Sequence, residues 1–198
     1  MKKGLVYVAI LVVAFVAYTY RDELSAMLQG DVALVDRTPH PFYLTGLDQR
    51  QYNLEMFKGK VVVMDVWATW CPDCVALLGK VERLNHKYAD KNVVVLTMNV
   101  DTLTEGRLTP EQVRDFVHEQ ALTVPVLMAD EEAMRAWGTS ANGAGADAQG
   151  LAGQSQGARV LVELPQTYVI DQKGHIRFQS TEATPGQLQA VVNRLLKD

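Results

Sequence analysis

The sequence predicts an α/β domain, a β-sheet with helices on both faces, carried behind an apolar N-terminal helix. Three observations lead there. From residue 61 onward, β-branched runs alternate with segments of helical period, the order of a layered α/β sheet. An apolar content of 48% over 198 residues is enough for one buried core. At the start of the chain, Lys2 and Lys3 precede an uncharged stretch from Gly4 to Tyr20.

That stretch is at the short end of what crosses a bilayer as a helix. A cleaved signal peptide is the competing reading. It is disfavoured because the stretch closes on "VAYTYRDEL", and a cut after Ala17 leaves bulky Phe15 two residues upstream. The expectation is an uncleaved anchor over residues 1–20, touching lipid through residues 4–20. Lys2 and Lys3 outweigh Arg21, which has Asp22 and Glu23 beside it. The positive-inside rule then keeps the N-terminus cytoplasmic and places the rest of the chain in the periplasm or at the outer face. Of the 19 basic residues, 17 remain after Lys2 and Lys3, against 23 acidic ones, a net charge of −6. Such a balance gives no support to nucleic-acid binding.

The remaining elements follow in order. Residues 21–38 read as a juxtamembrane connector, and a domain is expected over 39–198. "FYLTGLDQRQYNLEMF" alternates about Gly46 and Asp48 like a hairpin. "KVVVMDVW" has the composition of a strand covered on both faces. Val75, Leu77, Leu78, Val81, Leu84 and Tyr88 recur at helical spacing, giving a helix from about Pro72 to Tyr88. "NVVVLTMNVD" is a second buried strand. Thr109, Pro110 and Gln112 form a helix start with a capping box. "TVPVLMAD" is a short strand, "DEEAMRAWG" a helix stopped by Gly138, "QTYVID" and "HIRFQS" two strands about a turn, and "TPGQLQAVVNRLLK" a closing helix. Residues 139–158, rich in Gly and Ala with Leu151 as the one large apolar side chain, hold too little apolar surface to order themselves. They read as an inserted loop, either a lid or partner-docking segment over the active face or a solvated connection.

Both cysteines of the chain stand in "CPDC", Cys71 to Cys74, at the C-terminal end of the first buried strand. A bridge across two residues closes a tiny loop and stabilises little, so a chemical purpose is expected. Cys71 falls at the helix N-cap, Pro72 at N1, Asp73 at N2 and Cys74 at N3. A thiolate at an N-cap meets free N–H groups and the positive end of the helix dipole, which lowers its pKa and makes Cys71 the attacking sulfur. Cys74 is placed to resolve the mixed disulfide. The negative charge of Asp73 disfavours the thiolate, so a reducing couple is expected. A metal half-site or a pair of inert thiols are the alternatives. His40, His86, His118 and His175 show no paired ligand spacing, and no metal or other cofactor is expected beyond the redox-active disulfide itself. Asp65, six residues before Cys71, is costly to bury unless hydrogen-bonded or protonated. With a raised pKa it is suited to take the proton of Cys74; the alternative is an aspartate at the strand edge facing water. Trp67 and Trp70 are read as packing residues first, with substrate contact as the second role of Trp70.

"GKVVVMDVWATWCPDC" resembles the W-A-x-W-C-x-x-C signature of the thioredoxin superfamily, and the stretch from Pro41 to Cys74 resembles the opening of membrane-anchored TlpA/ResA-type thiol-disulfide oxidoreductases with an AhpC/TSA-like thioredoxin domain. The similarity covers roughly residues 39–198. It implies a thioredoxin-like fold with a central mixed sheet, Cys71 as nucleophile, Cys74 as resolving thiol, Asp65 at the buried-acid position and Pro165 as the cis-proline facing the cysteines. Leu164 and Pro165 would then offer backbone to an extended substrate segment. The resemblance further implies client proteins carrying disulfides or thiols, a membrane electron donor of the DsbD/CcdA kind, and a place in cytochrome c maturation. Many such relatives lack an acid at the Asp65 position, and their loop before the proline is shorter than this one.

The function expected is therefore that of a membrane-anchored, extracytoplasmic protein-disulfide reductase. A peroxiredoxin-like thiol peroxidase is the second reading, although Thr69 stands two rather than three residues before Cys71, outside the P-x-x-x-T-x-x-C motif. A non-catalytic metal-binding or redox-sensing module is the third.

Overall fold

In a computed structural model the chain is described over residues 2–20, 32–104, 108–137 and 163–197. The Gly/Ala-rich segment 139–158, the stop at Gly138 and most of the connector lie outside the described residues. Helix α1 covers Lys2–Thr19. Among the described residues, no helix is long and apolar enough to cross a membrane.

The domain is built on a five-stranded mixed sheet. Strand β3 (Val61–Trp67) is central, flanked in parallel by β4 (Val93–Asn99) and in antiparallel by β6 (Gln166–Ile170). Outside these lie β5 (Val126–Met128), parallel to β4, and β7 (Ile176–Ser180), antiparallel to β6. All seven residues of β3 are buried, which is why its sequence runs apolar without alternation. Helix α2 (Pro72–Tyr88) and the last helix, α5 (Pro185–Leu195), cover one face, where Val61 and Val63 meet Leu77, Val81, Leu188 and Val192. Helices α3 (Pro110–Glu119) and α4 (Glu131–Trp137) cover the other, where Met64, Val66, Leu96 and Met98 meet Val113, Met134 and Trp137. Each fully buried Val or Leu is worth about 2 kcal/mol, so these two clusters, more than helix propensity, hold the layers together. The Thr109 capping box is formed, with Thr109 accepting from the Gln112 N–H and the Gln112 side chain accepting from the Thr109 N–H.

Both edges of the sheet are covered by chain that precedes β3. A small hairpin of β1 (Leu44–Thr45) and β2 (Gln51–Tyr52) docks on β5, with Gly46 bridged to Leu127 and the Leu47 N–H donating to the Val126 carbonyl. Gly46 is required there, since a Cβ would lie 2.5 Å from Asp48 Oδ1 and 2.8 Å from the Tyr52 ring. At the opposite edge, Val35 and Arg37 exchange backbone hydrogen bonds with Arg177 and Ile176 of β7. The connector expected over 21–38 thus joins the sheet before it ends. Its backbone pairing satisfies an edge that is otherwise open to other strands, a long-range contact that local composition does not reveal.

Candidate active site

The site forms where β3 gives way to α2. The chain leaves β3 at Trp67, turns through Ala68, Thr69 and Trp70, and enters the helix at Pro72. Cys71 is the N-cap, with extended backbone (φ −97°, ψ 103°), and its Sγ accepts a hydrogen bond from the Cys74 N–H at 3.2 Å. The two cysteines are joined by a disulfide, their Cα atoms 5.2 Å apart. Cys71 keeps 6% of its surface exposed and Cys74 none, so an incoming sulfur reaches Cys71 first. Pro72 and Asp73 are exposed on the first turn.

Asp65 is fully buried in β3, on the strand face that Val61 and Val63 share and that α2 covers. The register sets it between Thr97 of β4 and Thr167 of β6, with Ser180 of β7 beyond, so a row of hydroxyls crosses the sheet under the site. Thr167 Oγ1 donates to Asp65 Oδ1 at 2.7 Å, while Oδ2 has no partner among the described residues. Burial pushes the carboxyl up to about 7, and the Thr167 hydrogen bond only partly opposes it. A carboxyl raised this far is suited to take up and release a proton near neutral pH.

The Leu164–Pro165 bond is cis. Because Gln166 pairs with Val66, Pro165 lies at the end of the sheet where β3 delivers the cysteines. Pro165 is buried and Leu164 partly so. Trp67 is buried and tilted against Phe116, ring centroids 5.8 Å apart. Trp70 is 48% exposed beside Cys71, and its indole N–H donates to Thr104 Oγ1 at 2.8 Å. No group of three or more His, Cys, Asp or Glu side chains is placed to hold a metal ion among the described residues.

The AhpC/TSA family profile matches residues 35–179. The chain belongs to that family. It is 29% identical over 169 residues to the thioredoxin-like protein YneN of Bacillus subtilis, covering 85% of this chain and 84% of that protein. It is 25% identical to the thiol-disulfide oxidoreductase ResA of Geobacillus kaustophilus, covering 85% and 82%. A thiol:disulfide interchange protein of Chlorobium tepidum superposes with a TM-score of 0.61 at 20% identity, over 84% of this chain and 99% of that one. The fold is thioredoxin-like, and the chain is a thiol-disulfide oxidoreductase.

Three residues of the site escape sequence reasoning. Thr167, the donor to Asp65, lies 102 positions away. Asp101, at the end of "NVVVLTMNVD", reads as an ordinary strand terminus, yet it is 1% exposed and accepts from the Thr69 N–H and hydroxyl. Thr104 carries no motif. The one available signal was Asp101 itself, a carboxylate ending a buried strand of the kind that carries function in α/β sheets.

Proposed function

We propose that the protein is a membrane-anchored, extracytoplasmic reductase of protein disulfides. The observation that carries this is the asymmetry of the pair, with Cys71 at the helix N-cap keeping a small accessible surface, and Cys74 fully buried behind it. Once reduced, Cys71 sits as thiolate on the free N–H groups of α2. It attacks one sulfur of a client disulfide, forming a mixed disulfide and releasing the other sulfur as a thiolate that takes up a proton. Cys74 gives its proton toward the Asp65 carboxylate and attacks Cys71 Sγ. The Cys71–Cys74 disulfide forms and the second client thiol leaves. Two electrons and two protons have passed to the client, and a membrane-embedded dithiol donor returns them. The sequence resemblance points to cytochrome c maturation, where client cysteines must be kept reduced.

The negative charge of Asp73 beside the pair supports the reductive direction. The reduction potential of the Cys71–Cys74 couple is expected near thioredoxin's, about −270 mV, with insulin reduction lost in Cys71→Ser. A value near about −120 mV, that of a strong oxidant, overturns the direction. Against peroxidase chemistry, the Thr69 hydroxyl is committed to Asp101 Oδ1 at 2.8 Å.

Anchoring is supported by α1, where Ile10, Leu11, Val12, Val13 and Phe15 are 54–69% exposed. A run of apolar side chains left uncovered by the domain fits lipid better than water. Deleting residues 4–20 is expected to move the protein from the membrane pellet to the soluble fraction without loss of insulin reduction. Retention of the deletion variant in the pellet, or release of the full chain by alkaline carbonate, refutes the anchor.

A further inference from the structure

We propose that Asp101 is a positioning residue for disulfide exchange, and that the turn it starts, Asp101–Thr104, fixes Trp70 as a rigid contact for protein clients. The proposal rests on the thiol-disulfide activity described above and adds the part that holds its docking loop.

The loop between β3 and α2 is gripped from behind at successive points. The Val100 N–H donates to the Trp67 carbonyl at 3.1 Å. Asp101 Oδ2 accepts from the Thr69 N–H at 2.9 Å and from Asn99 Nδ2 at 2.6 Å, and Oδ1 accepts from Thr69 Oγ1 at 2.8 Å. The Asp101 N–H in turn donates to Asn99 Oδ1 at 3.0 Å. Thr104 Oγ1 receives the Trp70 indole N–H at 2.8 Å and leans toward the Asp101 carbonyl at 3.4 Å. A single buried acceptor group therefore fixes the residue before Trp70, and the end of the same turn fixes the Trp70 ring.

Structural need alone does not explain this arrangement. An exposed tryptophan beside a nucleophile is free to change rotamer, and each side chain immobilised on binding costs affinity. Here the indole is held before any client arrives. The Cys71 N–H donates to the Ala68 carbonyl at 3.2 Å, so displacement of the loop also moves the sulfur. Misplacement by about 1 Å is enough to cost on the order of a hundredfold in rate.

The chemistry of the bonds separates two substitutions. Asp101→Asn keeps an oxygen for the two N–H donors, and the Thr69 hydroxyl can rotate to accept from the new amide. Asp101→Ala leaves the Thr69 N–H and the Asn99 amide without their acceptor. Thr104→Val, on a partly exposed turn, releases the indole and the long 3.4 Å bond to the Asp101 carbonyl, and leaves the Asp101 carboxylate and its bonds to Thr69 in place.

The experiment measures KM and kcat for insulin, the rate with a small aromatic disulfide, and acrylamide quenching of tryptophan emission. Trp67 and Trp137 are buried, so the quenchable emission reports Trp70. Thr104→Val is expected to raise KM for insulin about threefold to tenfold, leave the small disulfide unaffected, and increase quenching. Asp101→Ala is expected to lower kcat/KM for insulin at least about tenfold, with Asp101→Asn within about twofold of the parent. Unchanged KM and quenching in Thr104→Val overturn the proposal. So does an Asp101→Asn variant as impaired as Asp101→Ala, or a Thr104→Val loss equal for insulin and the small disulfide. Should Asp101→Ala not fold, Thr104→Val and Asp101→Asn carry the test. The quenching readout does not depend on turnover, so failure of the reductase reading, seen as full activity in Cys71→Ser, is distinguishable from failure of this one.

Discussion

Two buried aspartates, Asp65 under the site in β3 and Asp101 against the active-site loop, are treated by the protein in opposite ways. Asp65 and Asp101 are both buried, at 0% and 1% exposure. Asp65 has one donor, Thr167, and an Oδ2 without a partner among the described residues. Asp101 takes three donors from Thr69 and Asn99. A buried carboxyl with too few donors gains by holding a proton; one with its oxygens filled becomes a fixed acceptor. Donor count, and not burial, divides a proton carrier from a clamp.

The largest expected effect exposes the proton carrier. The Asp65 pKa of about 7 lies above the ordinary 3.8, so the folded state binds a proton that the unfolded state has already lost between these values. The stabilising contribution is complete below about pH 4, declines as pH rises, and is gone above about pH 7, a total of about 4 kcal/mol. Asp65→Asn keeps an acceptor for Thr167 and cannot ionise. Unfolding free energies of variant and parent from denaturant titration are expected to converge near pH 4 and to differ by about 4 kcal/mol at pH 8, with the variant more stable. The same change is expected to slow insulin reduction at pH 7 by about a hundredfold, because the base for Cys74 is lost. Parallel stability curves would mean that Asp65 does not titrate in this range.

The clamp is expected to behave in the reverse sense. Asp101→Ala removes the acceptor of two N–H groups at about 1–3 kcal/mol each, so a stability loss of about 3 kcal/mol is expected from denaturant unfolding at pH 7. The two aspartates share no hydrogen-bond partner among the described residues, so in the double variant the two changes should add to within about 0.5 kcal/mol. Strong coupling would break the comparison, since it requires the clamp and the proton carrier to act as one network.

The contrast also marks what a sequence discloses. The helix from Pro72 to Tyr88 was legible because its start signal and apolar period are local, and Cys71 at its N-cap followed from the same few residues. The hairpin about Gly46 and the Thr109 capping box were legible for the same reason. Thr167 opposite Asp65 was not, because a register between strands a hundred residues apart is settled by packing. Asp101 was hidden by the same cause: its role depends on which loop lies across it. The pairing of Val35 and Arg37 with β7 is of this kind too, a backbone contact written in no side chain.

The smallest effect tests donor count most directly. Thr167→Val keeps the shape of the side chain and removes the hydroxyl that donates to Asp65 Oδ1 at 2.7 Å. That hydrogen bond is the influence that lowers the Asp65 pKa against burial, so its loss should drive the value further up, by about one pH unit. The carboxyl carbon shift of Asp65, followed by NMR against pH, should show its midpoint displaced upward from about 7. The stability decline of the parent should move with it to higher pH, since the folded state now keeps its proton longer. An unmoved midpoint would mean that the Thr167 hydroxyl does not govern the Asp65 carboxyl, and donor count would then not be what divides Asp65 from Asp101.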